Sequence, residues 1–329
     1  MEKVKRYLFV ILLIALFVEI LIIFPKKIEQ QEKSIFDQNR PMTDEKDENL
    51  DDRQIYTEQS MKGVHFVESH LGKRDWEIFA DQANGDEKTN QWSLKKLKII
   101  FYNGMTPEYT VIGDEGFIDG KNRDLKVTGH VQTISSNNYI LKTNSINYSA
   151  QTRMMTSEGA VQIVGPRDAD GQGFHFYGID LLIDVTKAQI KLQKQVVAQR
   201  ELKGGIALEV VSDQVELNNK NKEALFNGNV EIKYDQFSMT SPAAKFNYQG
   251  TNQLTNLNLS GGVKVVDFNR TATSEMLQLD LLKQKFVFQG QPKVVEGEDI
   301  LSGEQIEFID GGKKVRVEKV KLQADKVKK

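Results

Sequence analysis

From about residue 61 onward, apolar and polar residues alternate with a period of two. Leu97/Ile99/Phe101, Leu125/Val127, Leu181/Ile183/Val185, Val230/Ile232/Tyr234 and Leu277/Leu279/Leu281 carry the pattern. Successive side chains of a strand point to opposite faces, so this alternation predicts antiparallel strands with one buried face. After Lys62 no amphipathic helical stretch of ten or more residues stands out. Pro107, Pro166, Pro242 and Pro292 fall between the strand patterns, where a missing N–H is tolerated.

The strands repeat. An apolar-x-apolar-x-Gly-x-Val step recurs around Gly129, Gly159, Gly228, Gly261 and Gly290, with Lys194 in the glycine's place once. Successive anchors lie 30, 35, 34, 33 and 29 residues apart. A second shared element sits between them, at Leu141 to Tyr148, Met239 to Tyr248, Ala272 to Leu279 and Leu301 to Phe308. A fixed period with a shared pattern is the mark of stacked units, each too small to bury its own apolar face. Glycine inside a strand marks a bulge. One bulge per unit at the same level bends every unit alike and predicts two facing, curved sheets. Ordinary hairpin-turn glycines would give the same fold class. The pattern pauses near Leu202 and Gly205, which predicts one domain at about 61–203 and a second at 204–329, or one continuous stack.

The N-terminus differs. Tyr7 to Phe24 is apolar except for Glu19. Eighteen helical residues span about 27 Å, close to a hydrocarbon core of about 30 Å. Lys3, Lys5 and Arg6 precede this stretch, Lys26 and Lys27 follow it, and no small-x-small cleavage site is present. Residues 1–24 are therefore expected to be a short cytoplasmic stub and an uncleaved single-pass anchor. Glu19 lies about 9 Å inside the helix end, where a carboxylate is costly unless it is neutral, reaches the headgroups or meets another membrane subunit. Between Ile28 and Glu58 ten acidic residues stand against four basic ones, so residues 25–60 read as a flexible polar tether.

Composition narrows the chemistry. A net charge of −2 over 329 residues leaves no field to draw nucleic acid. The absence of cysteine removes disulfides, thiolate catalysis and zinc–thiolate sites. The four histidines, His65, His70, His130 and His175, share no face. The carboxylates are scattered, with no Asp-x-Asp-x-Asp spacing and no phosphate loop. No catalytic residue, cofactor or metal is expected. A carbohydrate-active enzyme would need clustered carboxylates on one face.

What remains is an apolar inner face. Its strong positions are Trp76, Phe79, Phe101, Phe117, Tyr148, Phe174, Phe176, Phe226, Tyr234, Phe246, Tyr248, Phe286, Phe288 and Phe308. Periodicity alone leaves two readings: a plain core between two sheets, as in a structural scaffold or adhesin, or the lining of an interior that accepts an alkyl chain.

Several stretches occur in the order found in one family. They are the N-terminal anchor, Gly63 to Glu68, Trp76 to Ala80 with Ala83, and Leu97 to Tyr102. Leu125 to Val131, Tyr139 to Thr143, Ile146 to Tyr148 and Met155 to Ile163 follow. Over about residues 1–200 the sequence resembles the LptC family, the membrane-anchored bridge component of lipopolysaccharide export. Leu225 to Ile232, Met239 to Pro242 and Leu257 to Val263 make the second half similar to the soluble LptA/OstA domain. A typical bridge subunit has one such domain after its anchor; this sequence has two.

The resemblance implies an all-β fold, a tandem antiparallel β-jellyroll of V-shaped open section after one transmembrane helix. It implies an inner-membrane address with both domains in the periplasm, and a non-enzymatic role. The implied partners are lipopolysaccharide, the membrane subunits and ATPase of an ATP-binding-cassette transporter, and an LptA/OstA-type protein joined by edge-strand addition. The aromatic positions Phe101, Phe117, Tyr148, Phe174, Phe176, Tyr234, Phe246, Tyr248, Phe286, Phe288 and Phe308 become groove candidates. Partner contacts are expected at Glu19, at Gly159 by its place in the family's Thr-Ser-x-Gly-x-Val step, and at Val315 and Val317 in the last strands. The segment from Ile55 to Phe66 is the expected edge facing the transporter.

Overall fold

The computed structural model describes residues 58–70, 72–86, 88–167, 173–202, 205–250, 253–309, 314–319 and 321–323. The expected anchor, Glu19 within it and the tether up to Thr57 lie outside the described residues. Among the described residues no helix is long and apolar enough to cross a membrane.

The described chain is strand and turn throughout. The first strands are β1 (Glu58–His70), β2 (Lys73–Asp86), β3 (Gln91–Asn103), β4 (Thr106–Asp119), β5 (Asp124–Ser135), β6 (Ile140–Ser149), β7 (Met154–Val164), β8 (His175–Asp184) and β9 (Gln189–Leu202). Then come β10 (Ile206–Ser212), β11 (Gln214–Asn218), β12 (Glu223–Tyr234), β13 (Phe237–Gln249), β14 (Gln253–Asp267) and β15 (Arg270–Asp280). The last are β16 (Lys285–Gln289), β17 (Lys293–Glu296), β18 (Asp299–Ser302), β19 (Gln305–Ile309), β20 (Lys314–Glu318) and β21 (Lys321–Gln323). They form one antiparallel sheet in which each passage of the chain pairs with the next. Four passages are split in two, giving the half-strand pairs β10/β11, β16/β17, β18/β19 and β20/β21. Among the described residues β1 pairs with β2, β20 with β19 and β21 with β18. These strands end the described sheet.

The expected bulges are present. The ladder register shifts between Thr128 and Val131, Ser157 and Ala160, Asn227 and Val230, and Ser260 and Val263. At Gly228 the requirement for glycine is plain. Its φ is +78°, and a Cβ there would lie 2.2 Å from Asp213 Oδ2. In β9 the left-handed residue is Gln195 at φ +51°, one position beyond Lys194, and the β8–β9 register shifts beside it.

The bulges divide each passage into two halves. The halves from Val64, Leu97, Val131, Val161, Val196, Val230 and Val263 onward, with their pairing partners, form layer A. The remaining halves form layer B. The layers face each other. Phe66 in A meets Trp92 in B at 5.6 Å between ring centroids, Phe101 meets Tyr148 at 4.6 Å, Phe176 meets Phe226 at 6.5 Å, and Phe237 meets Phe286 at 5.6 Å.

Register then dictates the core. In layer A one inward row of paired residues runs from edge to edge. It comprises Phe66, Ile78, Ile99, Val111, Thr133, Leu141, Ile163, Phe176, Ala198, Val210, Ile232, Met239, Val265, Ala272, Val294 and Leu301. A matching row in layer B runs from Ile118 through Tyr148, Ile183, Leu217, Phe246, Leu279, Phe286 and Phe308 to Val315. Each large side chain buried this way contributes about 1.5–3 kcal/mol.

Neither row stops where the strand pattern pauses. β9 pairs with β10 from Leu202↔Ile206 to Val196↔Ser212, and with β11 beyond. The sheet is continuous across that point.

Parity corrects two expected inward residues. Phe117 is 39% exposed and Phe79 is 38% exposed. Ile78 and Ile118 hold the inward places beside them. The β4 register shifts between Ile112 and Glu115, which resets the alternation just before Phe117. Phe79 lies flat on the His65 ring at 4.3 Å on the outer face.

Candidate functional site

The two layers share the bulge line, and their opposite margins flank the inward rows. The margins are built from turns. On the layer B side a recurring Asp or Asn opens the turn and accepts backbone N–H bonds within it. Asp86 takes Lys88 at 2.9 Å, Asp119 takes Lys121 at 2.9 Å, Asp184 takes Lys187 at 2.9 Å, Asn218 takes Asn221 at 3.0 Å and Asp280 takes Lys283 at 3.0 Å. These are Asx-type turns, in which the side chain imitates a backbone turn. Backbone donation from Lys88 and from Lys283 holds the Asp86 and Asp280 carboxyls below the usual range.

In the first half, polar bridges tie the margins together. Arg123 Nη1 reaches Glu68 Oε1 at 3.0 Å. Arg153 pairs with Asp75 and donates to the Tyr102 carbonyl. Asn103 Nδ2 donates to the Thr186 carbonyl at 3.1 Å, and Asn137 Nδ2 to Asn219 Oδ1 at 2.9 Å. Behind these bridges the groove candidates are packed shut. Phe101 is 1% and Phe176 2% exposed, and Phe174 packs on Phe176 at 5.5 Å. The space bounded by Phe174, Phe176, Phe226, Phe246 and Tyr248 amounts to about 10 Å³. Burial pushes the Tyr148 and Tyr248 phenols up to about 12, so both remain neutral.

The second half differs. Its margins meet through rings, Phe237 on Phe286, and leave two cavities. The larger, about 380 Å³, lies between Leu202, Ile206, Leu208, Tyr234 and Met239 on one side and Phe246, Leu254, Leu257, Leu279 and Leu281 on the other. That falls within the range of small-ligand clefts, about 300–1,000 Å³. Arg200, buried and set over the Phe174 ring at 5.4 Å, stands at its wall with Gln253 and Gln284. The smaller, about 50 Å³, is lined by Phe237, Val265, Ala272, Phe286, Phe288, Val294 and Phe308, with Asp267 and Arg270. Phe268 and Leu282, at two turns of these margins, are 83% and 60% exposed.

Buried polar atoms without a partner are few among the described residues. They include Trp76 Nε1, Thr133 Oγ1 and Asp267 Oδ1. Each such atom costs about 1–3 kcal/mol. Thr133 is the one polar member of the layer A row.

The partner-contact candidates sit at edges and at the bulge line. Val315 is 50% exposed and ends one layer B row; Val317 ends the row beside it through Ile306. Gly159 is exposed at its bulge with open space beyond, and its N–H donates to Asp180 Oδ1 at 3.1 Å. The Lys194 ammonium, and then this N–H, hold the Asp180 carboxyl below its usual range. The histidines are apart: His65 Nε2 lies 3.5 Å from Glu77 and His130 Nδ1 2.6 Å from Asp114. Among the described residues no group of three or more His, Asp or Glu side chains is placed to hold a metal ion. The sequence reading missed the bridging turn residues and the Asp267–Arg270 wall. The recurring Asp or Asn at positions 86, 119, 184, 218 and 280 was the available signal for the turns.

Residues 11–196 match the family model "Lipopolysaccharide-assembly, LptC-related". The chain belongs to the LptC-related lipopolysaccharide-assembly family. Residues 209–310 match a second model, "LptA/(LptD N-terminal domain) LPS transport protein". The first match ends within β9 and the second begins within β10, two strands paired in one sheet. LptC- and LptA-type proteins are non-enzymatic components of a lipopolysaccharide transport bridge. Solved structures similar to this chain include LptH, the LptA homologous periplasmic component of the lipopolysaccharide transport device from Pseudomonas aeruginosa. It is 14% identical, with a TM-score of 0.34 over 36% of this chain and 95% of that one. No curated protein matches the chain significantly.

Proposed function

We propose that this chain is an inner-membrane-anchored bridge segment that passes lipopolysaccharide across the periplasm, from an ATP-binding-cassette transporter toward the outer membrane. The anchor is the Tyr7–Phe24 stretch, with the N-terminus cytoplasmic and the β-sheet periplasmic. Glu19 meets a transporter membrane subunit within the bilayer. The observation that carries this reading is the uncharged row from Phe66 to Leu301, unbroken through both family matches. Each CH₂ exposed to water costs about 0.8 kcal/mol, so several acyl chains need a continuous apolar path. Such a path makes transfer nearly level, and ATP hydrolysis in the transporter supplies direction.

The end strands of the described sheet suit extension. An edge strand offers unpaired N–H and C=O groups to a neighbour. A strand added beside β20 continues the rows that end at Val315 and Val317, and one added beside β1 continues the row from Phe66. The transporter docks at β1, and an LptA/OstA-type protein at β20/β21 or at Gly159. Tyr234, Phe246, Phe286, Phe288 and Phe308 meet acyl chains in the state described. Phe101, Tyr148, Phe174, Phe176 and Tyr248 do so once the layers part into an open V. The region 204–329 acts as a second domain that lengthens the bridge.

Photo-crosslinkers at Tyr234, Phe246 and Phe286, in cells with an active transporter, should capture lipopolysaccharide. A crosslinker at exposed Lys121 should not. Capture at Lys121 alone overturns the reading. The closed first half favours a second reading for that half, a sealed scaffold that only spaces the transporter from the groove. It predicts no capture at Phe101 or Phe176 under any condition.

A further inference from the structure

The smaller cavity is apolar except at one place. The Asp267 side chain, 6% exposed, forms part of its wall. Its Oδ2 accepts from Arg270 Nη2, while Oδ1 has no partner. Arg270, 37% exposed at the lip, balances the carboxylate charge and fixes its orientation. One strong acceptor is thereby left beside Phe237, Phe286 and Phe308. An anionic ligand group is repelled from it, and a purely hydrocarbon ligand leaves it bare.

We propose that Asp267 Oδ1 receives a hydrogen bond from the head end of an acyl chain that carries a donor there, a hydroxyl or an amide N–H. The chain itself runs into the larger cavity. The two cavities are neighbours by register: Phe237 pairs with Tyr234 and Phe286 with Leu279, and Tyr234 and Leu279 line the larger one. The 50 Å³ space takes the head and the 380 Å³ space the tail. This assignment rests on the lipid-bridge reading and deepens it, because it makes the second half select among acyl chains rather than merely shield them.

The test uses the full chain held in amphipol and two neutral probes of equal length, N-methyldodecanamide and methyl dodecanoate, each with a terminal diazirine. Adducts are mapped by peptide mass spectrometry. The amide should label the lining around Leu254, Leu257 and Leu279 about tenfold more efficiently than the ester, as befits one hydrogen bond to a charged acceptor. Asp267→Leu should abolish the preference while ester labelling persists, which shows that the cavity still forms. Asp267→Asn, which keeps a neutral acceptor and the local fold, should leave a preference of a few-fold. Equal labelling by both probes in the wild-type chain, meaning Oδ1 is served by water only, overturns the assignment and leaves the bridge reading standing. A preference that survives Asp267→Leu also overturns the assignment. Absence of labelling in either cavity by both probes overturns the assignment and the bridge reading together.

Discussion

The two halves of the sheet are made by the same rule and finished differently. Residues 58–202 and 206–323 share the alternation, the bulge line and the inward rows, yet their margins do opposite things. In the first half Arg123, Arg153, Asn103 and Asn137 bridge the layers with charges and amides. In the second half the margins present Phe237, Phe286, Leu281 and Leu282 and enclose cavities of about 380 and 50 Å³. The repeat builds the walls, and a handful of turn residues decides whether the walls close.

The largest test of this contrast removes one interior ring from each half. Phe101→Ala deletes a ring packed at 4.6 Å on Tyr148 in a closed interior and should cost about 3–5 kcal/mol. Phe286→Ala deletes a ring that already borders a cavity. It should cost less, about 1–2 kcal/mol, because fewer contacts are lost. Urea unfolding of both variants checks the pair. Equal costs would mean that the second half is as tightly packed as the first.

Next in size is the bridge itself. Arg153→Ala removes the partner of Asp75 and the donor to the Tyr102 carbonyl at a site 25% exposed on both sides of the ion pair. A loss of about 1–3 kcal/mol is expected. The sharper readout is functional: lipid crosslinking at Phe101 should rise above its wild-type level once the margin is untied. A destabilised variant with no capture at Phe101 would make the first half a spacer.

These bridges also show where sequence reading ran out. The alternation and the glycine steps made the strands, the bulges and most of the core legible, because each depends on residues a few positions apart. Phe117 falls outside because a bulge resets parity just before it, and Phe79 because it adjoins Ile78, and two adjacent residues of a strand cannot both point inward. The Arg153–Asp75 pair joins residues 78 positions apart. In the sequence Arg153 is one more polar turn residue, and only the stacking of the layers gives it a partner. For the same reason the groove could be foreseen as a face but not as open or shut.

A smaller effect is expected from filling the open half. Leu254 borders both the larger cavity and the closed space beside Phe226. Leu254→Trp puts a larger ring into existing space, so stability should change by less than about 1 kcal/mol. Lipid capture at Tyr234 should nevertheless fall several-fold. Unchanged capture would show that acyl chains do not use this cavity.

The smallest effect lies on the bulge line, where the halves differ by one residue. At Gly129–His130 the His130 ring meets Asp114 at 2.6 Å, and at Gly228–Asn229 the Asn229 amide meets Asp213 at 3.0 Å. The contact to an aspartate is the same, but a histidine titrates near neutral pH and an asparagine does not. The hydrogen bond that the His130 imidazolium donates to Asp114, and then the Asp114 charge, raise the His130 value above the usual 6.5. A raised folded value means that the contribution is fully present below about pH 6.5 and fades as the pH climbs through the folded value. Both groups are exposed, so the change is local rather than global. An NMR titration should place His130 above 6.5 in the wild-type chain and return it to the ordinary value in Asp114→Asn. Amide signals around Gly129 should move with that titration while those around Gly228 stay still. Movement at both bulges would mean that the two bulges respond as one; movement at neither would mean that the His130 contact does not persist in solution.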